Sequence, residues 1–271
     1  HVHSSIDKAC ITLGLGTRSV RKIECNERFE MIPERLAEAI DEDIDAGHIP
    51  ICVIPTIGTT STSSIDPVEA IADICEKYGI WLHVDTAYAG SAAIVPELRH
   101  YFMGCERADS IVVNPHKWLF TPFDLSVLYC RNLDVLKQAF SLVAEYLKTS
   151  EEGSVKNGMD YGIQLGRRFR ALKLWFVIRY FGREGLIARI REHCRLARLF
   201  ASWVEKGTGA TGRLHILDYL GNSLHAVNLP PAFSGDWNGA LAAPTLADID
   251  GDSDLEVVLN TAHAGLVAYD L

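Results

Sequence analysis

Short apolar runs alternate with helical patterns along the first 206 residues, and this alternation limits the folds that the chain can adopt. Apolar, β-branched runs at residues 49–54, 80–84 and 110–113 are typical of buried strands. Patterns with helical spacing cover residues 32–46 and 66–78, ahead of the first two strands. Near-continuous apolar strands joined through helices predict an α/β fold with a mostly parallel sheet and helices on both faces.

The remaining elements of this region follow from the same patterns. The run 125–130 follows the third strand with no helical pattern between them, which predicts a hairpin partner. Helical spacing covers roughly residues 132–148 and 169–205. Asp66 is predicted to cap the second helix, with Pro67 at its first position.

Polar clusters lie at the predicted strand ends. They are Thr59-Thr60, Asp85 and the segment 114–117. Taken singly, such an aspartate is more often a turn residue, and such a lysine is usually a solvated surface residue. In parallel sheets, however, ligands bind just beyond the carboxyl ends of the strands. The combination at successive strand ends therefore predicts a ligand site.

A lysine and a carboxylate among these residues, Lys117 and Asp85, indicate which chemistry the site could carry out. Cleaving a bond to the Cα of an amino acid needs an electron sink, which a pyridinium ring conjugated to an imine provides. Lys117, between His116 and Trp118, is a candidate for the imine lysine. Asp85 can stabilise a protonated ring nitrogen by its opposite charge and by hydrogen bonding.

Two segments resemble a known family. Asn114-Pro115-His116-Lys117-Trp118 and the segment from His83 to Ala92 (HVDTAYAGSA) are similar to signature segments of the group II pyridoxal-phosphate-dependent decarboxylases, in the aromatic-L-amino-acid decarboxylase branch. The resemblance extends to His3-Ser4-Ser5, to the run 56–60 and to the run 165–175, and it covers His3 to about Lys206. It implies the fold-type-I large domain, and pyridoxal 5'-phosphate as the cofactor.

The resemblance also implies roles around the cofactor ring. Lys117 would hold the cofactor as a Schiff base, and Asp85 would pair with the ring nitrogen. His3 would stack on one face of the ring and Ala87 would pack on the other. Thr60 would lie near the ring.

Further implied roles concern the phosphate and the proton returned to Cα. Asn114 and His116 would help to bind the phosphate. Tyr146 matches the mobile-loop tyrosine that protonates Cα after carbon dioxide leaves, where phenylalanine accompanies oxidative aldehyde formation. On the residues alone, Tyr146 could instead be a helix-face aromatic that packs on the core.

The implied activity is decarboxylation of an aromatic L-amino acid to its amine and carbon dioxide, by a homodimer. The family's N-terminal segment and small C-terminal domain have no counterpart in this sequence, nor has an arginine that often precedes the segment beginning at Leu165. Two alternatives stay open. The chain could have another fold-type-I activity, such as transamination or oxidative deamination, or it could be an inactive decarboxylase fragment joined to a calcium-binding β-repeat.

The tail, residues 207–271, differs in composition and is predicted to be a separate β-repeat segment after a decarboxylase domain at 1–206. Residues 247–270 resemble FG-GAP or VCBS-type β-propeller repeats. Carboxylates at alternate positions around a glycine can converge on one hard cation. A calcium site is therefore predicted, with a polar turn as the alternative, at Asp248, Asp250, Asp252 and Asp254.

Charge and composition exclude some classes of partner. The net charge of −9 argues against nucleic acid and against an anionic membrane surface. No apolar run reaches about 18 residues, so no membrane span is expected. The seven cysteines have no paired spacing, and most of them lie in apolar runs. This pattern predicts buried free thiols in a reducing compartment, and hence a cytoplasmic location. The type of repeat in the tail would instead suggest secretion.

Overall fold

The computed structural model of the chain describes residues 1–141, 157–206, 213–217, 223–228, 245–247, 256–261 and 265–269. The chain divides into two compact units, His1–Ile190 and Arg191–Leu271. The boundary that the sequence places at residue 206 stays a prediction. In the described part of the chain, no helix combines the length and the apolar character that crossing a membrane requires.

The first unit alternates helices and strands as the sequence predicts. Its helices are α1 (Ser5–Thr12), α2 (Pro33–Asp45), α3 (Val68–Tyr78), α4 (Pro115–Trp118), α5 (Leu133–Phe140) and the beginning of α6 (Ala171–Lys206). Its strands are β1 (Cys52–Val53), β2 (Trp81–Asp85), β3 (Ser110–Val113) and β4 (Val127–Cys130). Short 3-10 helices cover much of the connection between β2 and β3.

The four strands form one sheet in the order β1-β2-β3-β4. β1 pairs with β2 and β2 with β3 in parallel, and β4 runs antiparallel to β3. Both the mostly parallel sheet and the predicted hairpin partner are therefore confirmed. Because β2 and β3 are parallel neighbours, Asp85 at the end of β2 and Asn114 directly after β3 lie at the same edge of the sheet.

One face of the sheet carries the core of this unit. Leu82 and Val84 of β2 are almost fully buried, and they belong to one cluster with Leu36 of α2 and Ile71 of α3. Side chains alternate between the faces of a strand, so Trp81, His83 and Asp85 lie on the opposite face. The packing of β2 on the core thus determines which face presents Asp85.

Asp66 does not cap α3 as the sequence predicts. The helix begins at Val68, and no side chain accepts a hydrogen bond from its first turn. The carboxylate of Asp66 instead accepts the backbone N–H groups of Met31 and Thr56, each at 2.7 Å. The prediction was wrong because the nearest donors to this buried carboxylate come from other segments. Burial raises the pKa of Asp66, and the two backbone bonds offset part of that shift.

Replacing Asp66 by alanine is expected to lower the free energy of unfolding by about 2–4 kcal/mol, because the buried N–H of Thr56 and the partly buried N–H of Met31 lose their acceptor. Urea denaturation followed by circular dichroism measures this change. Asp45→Ala removes an exposed acid at the end of α2 and should change the free energy by no more than about 0.5 kcal/mol. Equal effects of the two substitutions would contradict this role of Asp66.

Two helices differ in detail from the sequence patterns. α5 spans Leu133–Phe140, and the remainder of the helical pattern predicted up to residue 148 lies almost wholly outside the described residues. Asn132 caps α5 by accepting the N–H of Asp134 at 3.0 Å. α6 is interrupted at Gly182, whose φ of 63° is in the left-handed region that glycine adopts without steric cost.

The prediction of buried thiols holds for one cysteine. All seven cysteines are free, and only Cys75, on the core face of α3, is buried. Cys52 is exposed because it lies on the face of β1 away from the core, whereas its neighbour Val53 is buried on the core face.

The second unit contains the tail strands. They are β5 (Arg213–Leu217), β6 (Ser223–Asn228), β7 (Thr245–Ala247), β8 (Glu256–Thr261) and β9 (Gly265–Tyr269). β5 pairs with β6, and β7, β8 and β9 form an antiparallel meander. The predicted calcium ligands from Asp248 to Asp254 lie outside the described residues, so the metal site and the repeat type stay predictions.

Candidate active site

Asp85 lies at the carboxyl end of β2, enclosed by the loop after β1. Its backbone N–H donates to Pro55 and its carbonyl accepts from Ile57, each at 2.9 Å. The residue is only 7% exposed, and its Oδ1 accepts the N–H of Ala87 at 2.9 Å. Among the described residues, its Oδ2 accepts no hydrogen bond. A buried carboxylate in which one oxygen accepts no hydrogen bond is suited to pair with a cationic group.

A continuous chain of hydrogen bonds connects Asp85 to Lys117. Ala87 bonds to the Asp85 carboxylate through its N–H, and its own carbonyl accepts the N–H of Asn114 at 3.0 Å. The carbonyl of Asn114 in turn accepts the N–H of Lys117 at 2.9 Å. The turns that follow β2 and β3 are thereby joined, as expected for the ends of adjacent parallel strands.

Lys117 belongs to the single turn α4, which begins at Pro115 directly after Asn114. Its side chain is exposed, so the amine can reach a ligand. The next residue, Trp118, stacks on Tyr88 with the ring centroids 5.3 Å apart and the planes inclined by 6°. This stack is a second link between the Asp85 turn and the Lys117 turn.

His116 is held by the loop that follows α4. Its Nδ1 lies 2.6 Å from the carbonyl oxygen of Leu125 and 3.0 Å from the N–H of the same residue. The shorter contact fits a protonated Nδ1 that donates to the carbonyl, which leaves Nε2 as an acceptor when the ring is neutral. Arg170 donates two hydrogen bonds of 3.1 Å to the Asp124 carboxylate and so restrains the same loop.

Thr59 and Thr60 have different surroundings in the loop after β1. Thr60 is exposed. Thr59 is buried, with its hydroxyl 2.8 Å from those of Thr62 and Ser64. Gly58 brings this loop close to the Asp85 turn, because a Cβ at this position would lie 2.6 Å from the Cβ of Ala89.

His3 is exposed and stays within its own segment in the described contacts. Its Nδ1 accepts the N–H of Ser5 at 3.2 Å and lies 2.9 Å from the Ser5 hydroxyl, at the start of α1. Tyr146 lies outside the described residues. The structure therefore brings together Asp85, Ala87, Asn114 and Lys117, whereas the predicted ring stacking by His3 rests on the sequence resemblance.

Buried polar atoms without partners test whether these residues suit pyridoxal 5'-phosphate. Among the described residues, Asn114 Oδ1 and Thr56 Oγ1 are enclosed without a hydrogen-bond partner. The oxygen and nitrogen positions of an asparagine amide are assigned from the hydrogen-bond network and can be exchanged. With its nitrogen at the enclosed position, the amide of Asn114 would be able to donate to a phosphate. Together with the exposed amine of Lys117 and the accepting carboxylate of Asp85, these groups fit the cofactor.

Three contributors to this site were not predicted from the sequence. The hydroxyl of Thr86 is buried and donates to the carbonyl of Val112 at 2.6 Å. The Tyr88–Trp118 stack and the hydrogen bonds of Ser110 with β2 were also missed. The alternation of β2 could have indicated the position of His83 below Asp85, whereas no sequence pattern predicts the stack.

A family profile and individual relatives match this chain. The profile described as pyridoxal-dependent decarboxylase conserved domain matches residues 1–213. Tryptophan decarboxylase 2 of Oryza sativa subsp. japonica is 39% identical over 241 residues, which are 88% of this chain and 48% of that protein. Phenylacetaldehyde synthase of a Rosa hybrid cultivar is 43% identical over 206 residues, which are 74% of this chain and 41% of that protein.

Solved structures agree with the fold. The crystal structure of Oryza sativa TDC with PLP and tryptamine superposes with a TM-score of 0.74 and 40% identity. The match covers 80% of this chain and 44% of that one. The mixed α/β fold with a mostly parallel sheet is thus that of fold-type-I pyridoxal-phosphate enzymes. The chain spans less than half of the length of these relatives.

Proposed function

Since the chain belongs to the pyridoxal-dependent decarboxylase family, we propose that it binds pyridoxal 5'-phosphate and decarboxylates an aromatic L-amino acid to the amine and carbon dioxide. The observation that carries this proposal is the chain of hydrogen bonds from Asp85 through Ala87 and Asn114 to Lys117. It places a carboxylate and an exposed amine on adjoining turns, as one cofactor requires.

The residues of the site would divide the chemistry between them. When bound, the cofactor supplies an electron sink for the electron pair left on Cα as carbon dioxide departs. Lys117 would bind the cofactor covalently and then give way to the amine of the substrate. Asp85 would keep a proton on the ring nitrogen, since its negative charge favours the protonated form. Ala87, whose N–H orients the Asp85 carboxylate, would pack against the ring.

Other residues would hold the rest of the cofactor. Asn114 would donate its buried amide to the phosphate, and His116, oriented by Leu125, would lie beside it. Thr60 and His3 would contact the ring, a role that the family resemblance implies. Tyr146 would return a proton to Cα after carbon dioxide leaves.

Product analysis of the full 271-residue chain, supplied with pyridoxal 5'-phosphate, tests the proposal. L-tryptophan and L-tyrosine are the first substrates to try, because relatives are named for decarboxylating each of them. Release of carbon dioxide in equal amounts with tryptamine or tyramine is the expected result. Formation of a keto acid without amine would show transamination instead, and failure to release any product would support an inactive fragment.

Replacing Tyr146 by phenylalanine is expected to reduce amine formation by about 10²–10⁴-fold, because the proton donor is lost. In air, dissolved dioxygen would then act as the oxidant and divert turnover towards the aldehyde, with release of ammonia and hydrogen peroxide. Chromatography of amine and aldehyde measures the ratio of the two products. Tyr129→Phe, at a position of β4 that is 62% exposed, is the matched control and should leave the ratio unchanged. An unchanged ratio in Tyr146→Phe would show that Tyr146 is not the proton donor.

We also propose that the protein acts as a homodimer in the cytoplasm. Exposed aromatic side chains on α6 support a subunit contact, since Trp175 is 54% exposed, Phe176 58% and Tyr180 83%. The proposed partners are a small amino-acid substrate and a second copy of the chain, without nucleic acid or membrane.

A further inference from the structure

His83 lies two residues before Asp85, on the same face of β2. Trp81, His83 and Asp85 share that face, because the side chains of Leu82 and Val84 point into the core on the other side. β2 and β3 align His83 with Ser110 and Asp85 with Val112. The imidazole of His83 and the carboxylate of Asp85 are therefore neighbours on one face of the sheet, beside β3.

Ser110 determines which nitrogen of His83 carries the proton. The indole N–H of Trp81 donates to Ser110 Oγ at 2.9 Å, and Ser110 Oγ lies 2.7 Å from His83 Nδ1. Ser110 is only 7% exposed. A hydroxyl oxygen can accept two hydrogen bonds, so the direction depends on where the single hydroxyl proton can go. Among the described contacts of Ser110 Oγ, His83 Nδ1 is the acceptor available to that proton, so Ser110 donates to Nδ1. His83 is then a neutral imidazole with its proton on Nε2.

The charges around His83 favour the same neutral form. Burial lowers the pKa of His83, and the negative charge of Asp85 offsets part of that lowering. On β1 the nearest titratable group is the thiol of Cys52, which is uncharged at neutral pH. β3 contributes the hydroxyl of Ser110 and otherwise only apolar side chains. Among the described residues, Asp85 is thus the charged group that acts on His83.

We propose that His83 is a positioning residue for Asp85. Ser110 keeps His83 as a neutral imidazole, so the negative charge of Asp85 remains available to the protonated ring nitrogen of pyridoxal 5'-phosphate. The inference rests on the proposed function. A protonated His83 would compete with the ring nitrogen for the same carboxylate, so cofactor binding weakens as His83 takes up a proton.

The first test compares dissociation constants of pyridoxal 5'-phosphate for wild type and His83→Gln, measured by absorbance titration between about pH 8 and pH 5. The ratio of the wild-type constant to the variant constant is expected to rise by about three- to tenfold towards the acid end. Protonation of the cofactor and of shared groups cancels in this ratio. His100→Gln, an exposed histidine beside the carbonyl of Glu97, should give a flat ratio. A flat ratio for His83→Gln would overturn the proposal.

Ser110→Ala separates positioning from a merely structural role. Without the hydroxyl that donates to Nδ1, His83 gains its proton more easily, so the weakening of cofactor binding should begin at a higher pH than in wild type. A structural defect would instead weaken binding by the same factor at every pH. That uniform loss would contradict the role assigned to Ser110.

A titration without cofactor separates this inference from the proposed function. Nitrogen-15 NMR of His83, assigned by comparison with His83→Gln, should show an unprotonated Nδ1 at neutral pH and a pKa below the usual value. Asp85→Asn should lower that pKa further, because the attractive charge is gone. If wild type binds no cofactor, the proposed function fails. If Nδ1 is protonated, or Asp85→Asn has no effect on His83, the inference fails.

Discussion

Lys117→Ala is expected to abolish covalent capture of pyridoxal 5'-phosphate and to lower turnover by on the order of 10³-fold or more. The amine of Lys117 is exposed at a turn that hydrogen bonds join to Asp85, and alanine has no nucleophile to replace it. Borohydride reduction of the chain with bound cofactor, followed by peptide mass mapping, measures the modification of Lys117 directly. The expected result is near-complete labelling in wild type and background labelling in the variant.

Two further variants sharpen this result. Lys117→Arg keeps the positive charge but replaces the amine with a guanidinium, which is always protonated, so it too should fail to capture the cofactor. Lys137→Ala removes an exposed lysine from α5 and should leave the labelling at Lys117 intact. Equal labelling in wild type and Lys117→Ala would mean that another lysine is the point of attachment.

The placement of Asp85 and Lys117 at one edge of the sheet could be predicted because it requires only that their strands run parallel. The near-continuous apolar runs of β2 and β3 indicated a mostly parallel sheet and so placed Asp85 and Asn114 at the carboxyl ends of its strands. These runs are local properties of the sequence, and the structure agrees with them. That β2 and β3 are neighbours is shown by the structure. Which side chains of β2 face the core was not predicted from the sequence, and the structure shows that Leu82 and Val84 do.

Contacts between segments far apart in sequence could not be predicted in the same way. Asp66 had the pattern of a helix cap, but its carboxylate bonds to Met31 and Thr56, and the local pattern carries no information about those donors. The Tyr88–Trp118 stack likewise depends on two turns that approach each other only after the sheet forms. Such contacts follow from tertiary packing, and their residues look ordinary in sequence.

Asp85→Asn is expected to weaken both cofactor binding and turnover by about 10- to 1,000-fold, because an opposite charge at hydrogen-bonding distance shifts a pKa by about 1–3 units. Asparagine retains an oxygen that can accept the N–H of Ala87, so the turn after β2 should keep its shape. Only the negative charge that favours a protonated ring nitrogen is lost. Absorbance titration with pyridoxal 5'-phosphate and steady-state kinetics measure the two effects.

Asp109→Asn separates this loss of charge from a general disturbance of β2. The carboxylate of Asp109 accepts the N–H of Leu82 at 2.8 Å, so the same kind of contact lies at the other end of the strand. Its replacement should leave cofactor affinity within about twofold of wild type, since the charge is remote from the Asp85 turn. If Asp109→Asn weakened cofactor binding as much as Asp85→Asn, the loss would come from a general disturbance of β2. A loss confined to Asp85→Asn would assign it to the charge beside the ring nitrogen.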